Sequence, residues 1–189
     1  REKNNTLFWQ YDTADGMEHT ASGRILNDGI DAFTVIGTRT TINSYMYGDA
    51  MAIAQMAHLL DKPSVSASFI EKAKKIKQGV QERLWNKDLN FFTVLPRDFD
   101  QADTPLNIRE LIGYVPWYFN LPDDKKEYAA AWQKVKDTLG FAAPFGLTVT
   151  ERSHPYFQIS YKGVECQWNG PSWPFATTQT LKALANHIN

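Results

Sequence analysis

Asn43-Ser44-Tyr45-Met46-Tyr47-Gly48-Asp49-Ala50-Met51-Ala52-Ile53-Ala54-Gln55-Met56-Ala57-His58-Leu59-Leu60 is the stretch on which the fold turns. Tyr45, Met46, Tyr47, Ala50, Met51, Ile53, Met56, Ala57 and Leu59 leave no clear polar face. A helix that is apolar nearly all round is buried on most of its sides. Lys62-Pro63 is the expected stop. The segment that follows, Phe69 to Leu84, differs in kind. Phe69, Ala73, Ile76, Val80 and Leu84 make one stripe, and Lys72, Lys74, Lys75, Lys77, Gln78 and Gln81 cover the rest. That is a surface helix with a single buried face.

The alternation continues outward along the chain. After a turn-and-strand signal from Asn86-Lys87-Asp88 into Asn90 to Val94, a second buried helix is expected over Asn107 to Leu121, with Pro116 kinking or breaking it. Asp123 to Leu139 is amphipathic, with Tyr128, Trp132, Val135 and Leu139 on its stripe and Gly140 as a stop. Pro171 to Ile188 is again mostly apolar or small. On the N-terminal side, the stretch to Thr41 is rich in Gly, Asp, Asn and Thr and reads as one long irregular segment. The order is inner, outer, inner, outer, inner. In a simple four-helix bundle every helix would be amphipathic, so the pattern predicts an all-α, partial (α/α)6 toroid within a single domain, 1–189. Closing six hairpins takes about twice this length at the usual helix and loop sizes, and the chain is expected to be a fragment of such a domain.

The chain has 189 residues, 43% of them hydrophobic and 22% charged, which fits one soluble domain. Aromatic residues reach 13%, with six Trp. That excess serves either a large core or flat platforms for sugar rings. A net charge of −1 gives no field for nucleic acid or anionic lipid, and no apolar run reaches the roughly 20 residues that span a bilayer. Cys166 stands alone, so no intrachain disulfide forms and the redox compartment is left open. The chain begins at Arg1 without a signal peptide, as expected of a processed, trimmed or excised sequence. Four scattered His residues lack the spacing of zinc ligands, and no metal or other cofactor is expected.

Two segments carry chemistry. Asp15-Gly16-Met17-Glu18-His19-Thr20 offers two carboxylates three residues apart, a Gly and a His; the bland reading is a solvated turn. Glu165-Cys166-Gln167-Trp168-Asn169-Gly170-Pro171-Ser172-Trp173-Pro174 is a loop entering a helix, but that leaves two Trp, a Gln and an Asn without a purpose.

The first segment resembles the general-acid motif of the inverting (α/α)6 glycosidases, which include trehalases, family 63 glucosidases and mannosylglycerate hydrolases. Their motif runs Glu-Ser-Gly, an apolar or aromatic residue, then the catalytic Asp. Ala14-Asp15-Gly16-Met17-Glu18 aligns with it and places Glu18 at the acid position. Ala14 replaces the leading Glu, and Glu18 carries one methylene more than the family's Asp. The second segment resembles the trehalase signature Gln-Trp-Asp-x-Pro-x-Gly-Trp and the Trp-Arg-Gly-Pro-x-Trp stretch of family 63. Both line the sugar site at the barrel mouth, and Asn169 stands where trehalases have Asp. Nearly the whole chain, Tyr11 to His187, is similar to a bacterial branch of these enzymes, which leaves periplasm and cytoplasm both open.

The resemblance implies a carbohydrate substrate, with Asp15, Asn43, Tyr47, Asp49, Arg109, Glu110, Trp117, Glu151, Gln167, Trp168, Asn169 and Trp173 contacting it. Each has a structural alternative: Arg109-Glu110 and Glu151-Arg152 can be ion pairs, and Tyr45 and Tyr47 can be core. Inverting hydrolysis needs an acid and a base about 6.5–9.5 Å apart. In the families resembled, the base follows the Trp-x-Gly-Pro segment by tens of residues, so it is expected beyond Asn189, with Glu165 or Glu151 as substitutes. The isolated chain is then expected to be inactive, and exposed inner-helix surface would favour self-association. Rival readings are a non-catalytic carbohydrate-binding helical domain, an epimerase using His19 and His154, and a structural helical repeat.

Overall fold

The computed structural model describes residues 6–97, 104–159 and 166–189. The inner layer starts with α2 (Thr40–Leu59), which lies along α3 (Pro63–Arg83) as a hairpin. Pro63 does two things: it cannot continue α2, and with its fixed φ it opens α3 at its first turn. The outer helix therefore begins six residues earlier than its apolar stripe indicates. Ala73, Ile76, Gly79 and Val80 form its buried face and the lysines stay outside, as expected.

The stretch expected to form one buried helix, Asn107 to Leu121, is broken. Residues 107–110 are not helical, with Glu110 in an extended conformation, and are followed by a 3-10 turn, Leu111–Tyr114, and a single helical turn, α4 (Val115–Tyr118). Arg109 and Glu110 thus precede the helical segment instead of opening it. The reason is tertiary: Glu110 pairs with Thr150 in an isolated bridge, which holds its backbone at φ −127°, ψ 151°. Pro116 adds to this by withholding an N–H inside the next turn. Asp123 to Leu139 is likewise shortened, to α5 (Lys126–Ala129) and a 3-10 turn, Ala130–Val135. The last inner helix, α6 (Pro174–Ile188), opens on Pro174. α2 contacts α4 and α4 contacts α6, so the three inner segments stand side by side, with α3 and the Lys126–Val135 segment outside them.

The core between these layers is aromatic. Tyr114 stacks on Trp132 at 4.5 Å between ring centroids; Trp117 meets Phe92 and Trp132 edge-on. The Tyr114 hydroxyl donates to the Ala131 carbonyl, and burial holds its pKa above the usual phenol value. The short hairpin of β3 (Trp85–Asn86) and β4 (Phe91–Phe92) supplies further rings, in the register Trp85↔Phe92. Pairs of this kind contribute about 0.5–1.5 kcal/mol each beyond area burial. Three of the six Trp, at 85, 117 and 132, are spent here.

The opening stretch contains short regular elements: β1 (Gln10–Tyr11), a 3-10 turn Asp12–Asp15, α1 (Ala21–Leu26) and β2 (Ile36–Thr38). β2 pairs antiparallel with β1 and with β5 (Leu95–Pro96). A second small hairpin joins β6 (Ala142–Ala143) to β7 (Gly146–Leu147). One flank of α2 departs from the expected burial. Met51, Met56 and Leu59 are exposed, and Met51, Ala52, Gln55 and Phe119 line an open groove of about 600 Å3. An all-round apolar helix needs neighbours on every side, and among the described residues Met51, Met56 and Leu59 are left without full cover.

Candidate active site

The loops that lead into the three inner segments converge at the N-terminal ends of those segments. Glu18 and Gln167 form a parallel bridge in which the Trp168 N–H donates to the Glu18 carbonyl at 3.1 Å. The two segments singled out for chemistry are thus in direct backbone contact, although far apart along the chain. On the neighbouring side, the Leu111 N–H donates to the Val149 carbonyl, the Glu151 N–H donates to the Arg109 carbonyl, and the Ser22 N–H donates to Glu110 Oε1 at 3.0 Å.

The loop carrying Glu18 is held by two buried carboxylates. Asp12 accepts from the Thr20 hydroxyl, the Thr34 hydroxyl and the backbone N–H groups of Thr13 and Val35. Asp15 accepts from Arg39 Nε and the Thr41 hydroxyl, both at 2.6 Å, and from Gln10. Just after Asp15, Gly16, at φ 72°, closes the 3-10 turn and donates back to the Thr13 carbonyl. Arg39 is fully enclosed. Burial alone would lower its pKa, but Asp15, Glu110 and Asp12 outweigh that and raise it. By contrast, the half-buried Glu18 side chain makes no hydrogen bond or ion pair among the described residues.

The second loop carries a further Trp pair, of which Trp168 is buried against the core and Trp173 is partly exposed. Trp168 and Trp173 lie face to face, 4.6 Å apart and 9° from parallel, and Trp173 Nε1 donates to the Gln167 carbonyl. Gln167 Oε1 and Asn169 Oδ1 are buried without a partner among the described residues. A buried acceptor left unpaired costs about 1–3 kcal/mol. Gly170 is required here because a Cβ would collide with the Gln158 carbonyl.

The remaining expected contacts divide into two groups. Asn43 is fully buried, and its amide is used up on the backbone of Phe8 and Arg39. Trp117 belongs to the aromatic core, and Tyr47 is partly buried against it. Arg109 Nη1 and Glu151 Oε2 form an ion pair at 2.6 Å, and the Arg109 backbone N–H donates to Glu151 Oε1 at 3.0 Å. Glu110 points away from Arg109 toward Ser22 and Arg39. Asp49 is exposed on α2, and Glu165 lies outside the described residues. Sequence reasoning misses Asp12, Arg39 and Ser22. A lone Arg one residue before an inner helix, in a loop with two Asp, is the available signal for Arg39.

Burial raises the pKa of Glu110, against the pull of Arg39 and the Ser22 N–H. A carboxyl raised on folding contributes stability that is complete below its unfolded pKa and lost as pH rises through its folded pKa. Stability is therefore expected to decline from about pH 4.5 upward. Glu110→Gln should remove that part of the decline, as read from urea midpoints across pH.

Residues 1–189 match, end to end, the family model described as the mannosylglycerate hydrolase MGH1-like glycoside hydrolase domain. The chain belongs to this family. A solved structure of a sialidase is 43% identical over all of the chain, with a TM-score of 0.87, and the chain spans 16% of that protein. The GH63 mannosylglycerate hydrolase from Thermus thermophilus, in complex with glucose, superimposes on 81% of the chain at 16% identity and TM-score 0.66; 34% of it is covered. Neutral trehalase Nth1 from Saccharomyces cerevisiae superimposes on 92% at 19% identity and TM-score 0.64, with 31% covered. No curated protein matches the chain. The chain of this MGH1-like domain therefore spans about a third or less of the structures it resembles, and it takes the form of a partial (α/α)6 toroid. Among the described residues no helix is long and apolar enough to cross a membrane.

Proposed function

We propose that the chain forms part of the catalytic domain of an inverting glycoside hydrolase, with Glu18 as general acid. One observation carries the reading: Glu18, the acid-position carboxylate with no partner among the described residues, is bridged directly to the loop bearing the Trp168–Trp173 stack. An acid must be free to protonate the leaving oxygen, and the sugar must lie beside it. Asp15, Glu110 and Glu151 are each committed to protein donors, and the base is assigned, as the resemblance implies, to a carboxylate outside the described segments. The ligand is a neutral sugar. Trp173, partly exposed, supplies apolar surface with the buried Trp168 behind it, and Gln167 and Asn169 hold amide groups in the same loop. Asp15, Asn43, Tyr47, Glu110, Glu151 and Arg109 serve as the frame behind these contacts. The apolar flank of α2 is the surface through which self-association would run.

The test is the stereochemistry of the product. The natural full-length polypeptide is offered α- and β-linked glucosides and mannosides, and the anomer first released is followed by proton NMR. Inversion is the expected outcome; release of the retained anomer removes the proposed mechanism.

A further inference from the structure

The backbone on either side of the Glu18–Gln167 bridge is left-handed. His19, which follows Glu18, has φ 52°, and Cys166, which precedes Gln167, has φ 57°. For a residue with a Cβ this conformation costs roughly 1–2 kcal/mol and persists only where the surroundings enforce it. At His19 the enforcement is visible. Its Nδ1 is 2.7 Å from Asp31 Oδ2, its N–H reaches the Phe33 carbonyl at 3.5 Å, and its ring, 11% exposed, meets the Phe33 ring edge-on at 5.6 Å. Glu18 is thus clamped from both sides: its own carbonyl is held by Trp168, and the next residue is held by the Asp31–Phe33 segment.

We infer that His19, through its bond to Asp31, is a positioning residue for the Glu18 acid. This rests on the reading of Glu18 given above. Its physical basis is that the left-handed turn at His19 sets the direction in which the chain leaves Glu18. A relaxed backbone there would rotate the carboxyl away from the leaving oxygen without removing it. His19 itself touches no reacting atom in this scheme. It acts by keeping Glu18 within the roughly 2.6–3.2 Å reach that proton donation requires.

The test exploits leaving groups. A glycosyl fluoride departs with little help from an acid, whereas a methyl glycoside needs the proton. In the natural full-length polypeptide, His19→Ala is expected to lower kcat on methyl glucosides or mannosides by about 10-fold or more, a part of the roughly 10²–10⁴-fold an acid supplies. KM and turnover of the matching glycosyl fluoride should stay within about twofold. His19→Asn should recover most of the loss, because Asn tolerates the left-handed region and can donate to Asp31. Asp31→Asn provides a second variant should His19→Ala fold poorly, and the same selective loss is expected of it. Equal losses on both substrates, or none on either, would overturn the positioning role. Glu18→Gln separates the two levels: if it too fails to discriminate between the substrates, or if the unaltered protein turns over neither, the acid reading fails and the inference falls with it. If Glu18→Gln discriminates and the His19 and Asp31 variants do not, only the inference falls.

Discussion

Replacing Glu18 with Gln is expected to reduce turnover of unactivated glycosides by about 10²–10⁴-fold, the usual contribution of a general acid. The substitution keeps the shape and removes the proton. Stability should be nearly unchanged, since the Glu18 side chain has no partner to lose among the described residues and its carbonyl, which accepts from Trp168, is untouched. Glu18→Asp is informative in a different way. It restores the side-chain length found at this position in the families the sequence resembles, but the backbone here is matched to the longer residue. Activity should therefore fall, and less than with Gln. Steady-state kinetics on methyl glycosides, alongside thermal midpoints, measure both. A Glu18→Gln variant with undiminished kcat would transfer the acid role elsewhere.

The second large effect concerns a residue far from any reacting atom. Arg39→Met places an apolar side chain among Asp15, Glu110 and Asp12, all of which lean on the guanidinium. Removing one partner of a buried ionic cluster costs about 3–5 kcal/mol, because the remaining charges stay desolvated and uncompensated. For a domain of this size that corresponds to a fall of roughly 6–20 °C in Tm. Calorimetry should also show the deficit shrinking in acid, since neutral carboxyls need no counter-charge. The catalytic consequence follows through Asp15. With its 2.6 Å bond to Arg39 gone, the turn that delivers Glu18 loses one of its three anchors. A variant as stable as the parent at neutral pH would show that the cluster is held by its hydroxyl and amide donors alone.

Much of this protein is written locally. The all-round apolar character of Asn43 to Leu60 and the single stripe of Phe69 to Leu84 identify inner and outer helices, because burial acts on each residue through its own periodicity. Tyr128 and Trp132 likewise mark the face that packs inward, although the helix carrying them is shorter than its stripe. The motif around Glu18 and the Trp-rich segment are legible because their residue types are unusual for turns. The placement of each Trp cannot be told from sequence: Trp117 and Trp173 look alike there, yet one is buried among Phe92 and Trp132 and the other lies partly exposed against Trp168, in the loop bridged to Glu18. Contacts between distant segments decide such cases.

The same holds for what the sequence by itself determined and what the tertiary structure decided. Composition and periodicity determined the inner and outer helices of a toroid segment, since those depend on the free energy of burying nearby side chains; resemblance alone marked the two loops expected to hold a sugar. Only the folded chain decided that Asn107 to Glu110 stays out of the helix, with Glu110 extended and paired with Thr150. Only the folded chain assigned Arg109 to Glu151 and not to its neighbour Glu110. It also decided that Asp15 is an anchor, through Arg39 and Thr41, while the Glu18 side chain has no partner among the described residues. Charges and backbone donors choose partners by distance in space, and no spacing along the chain encodes that distance.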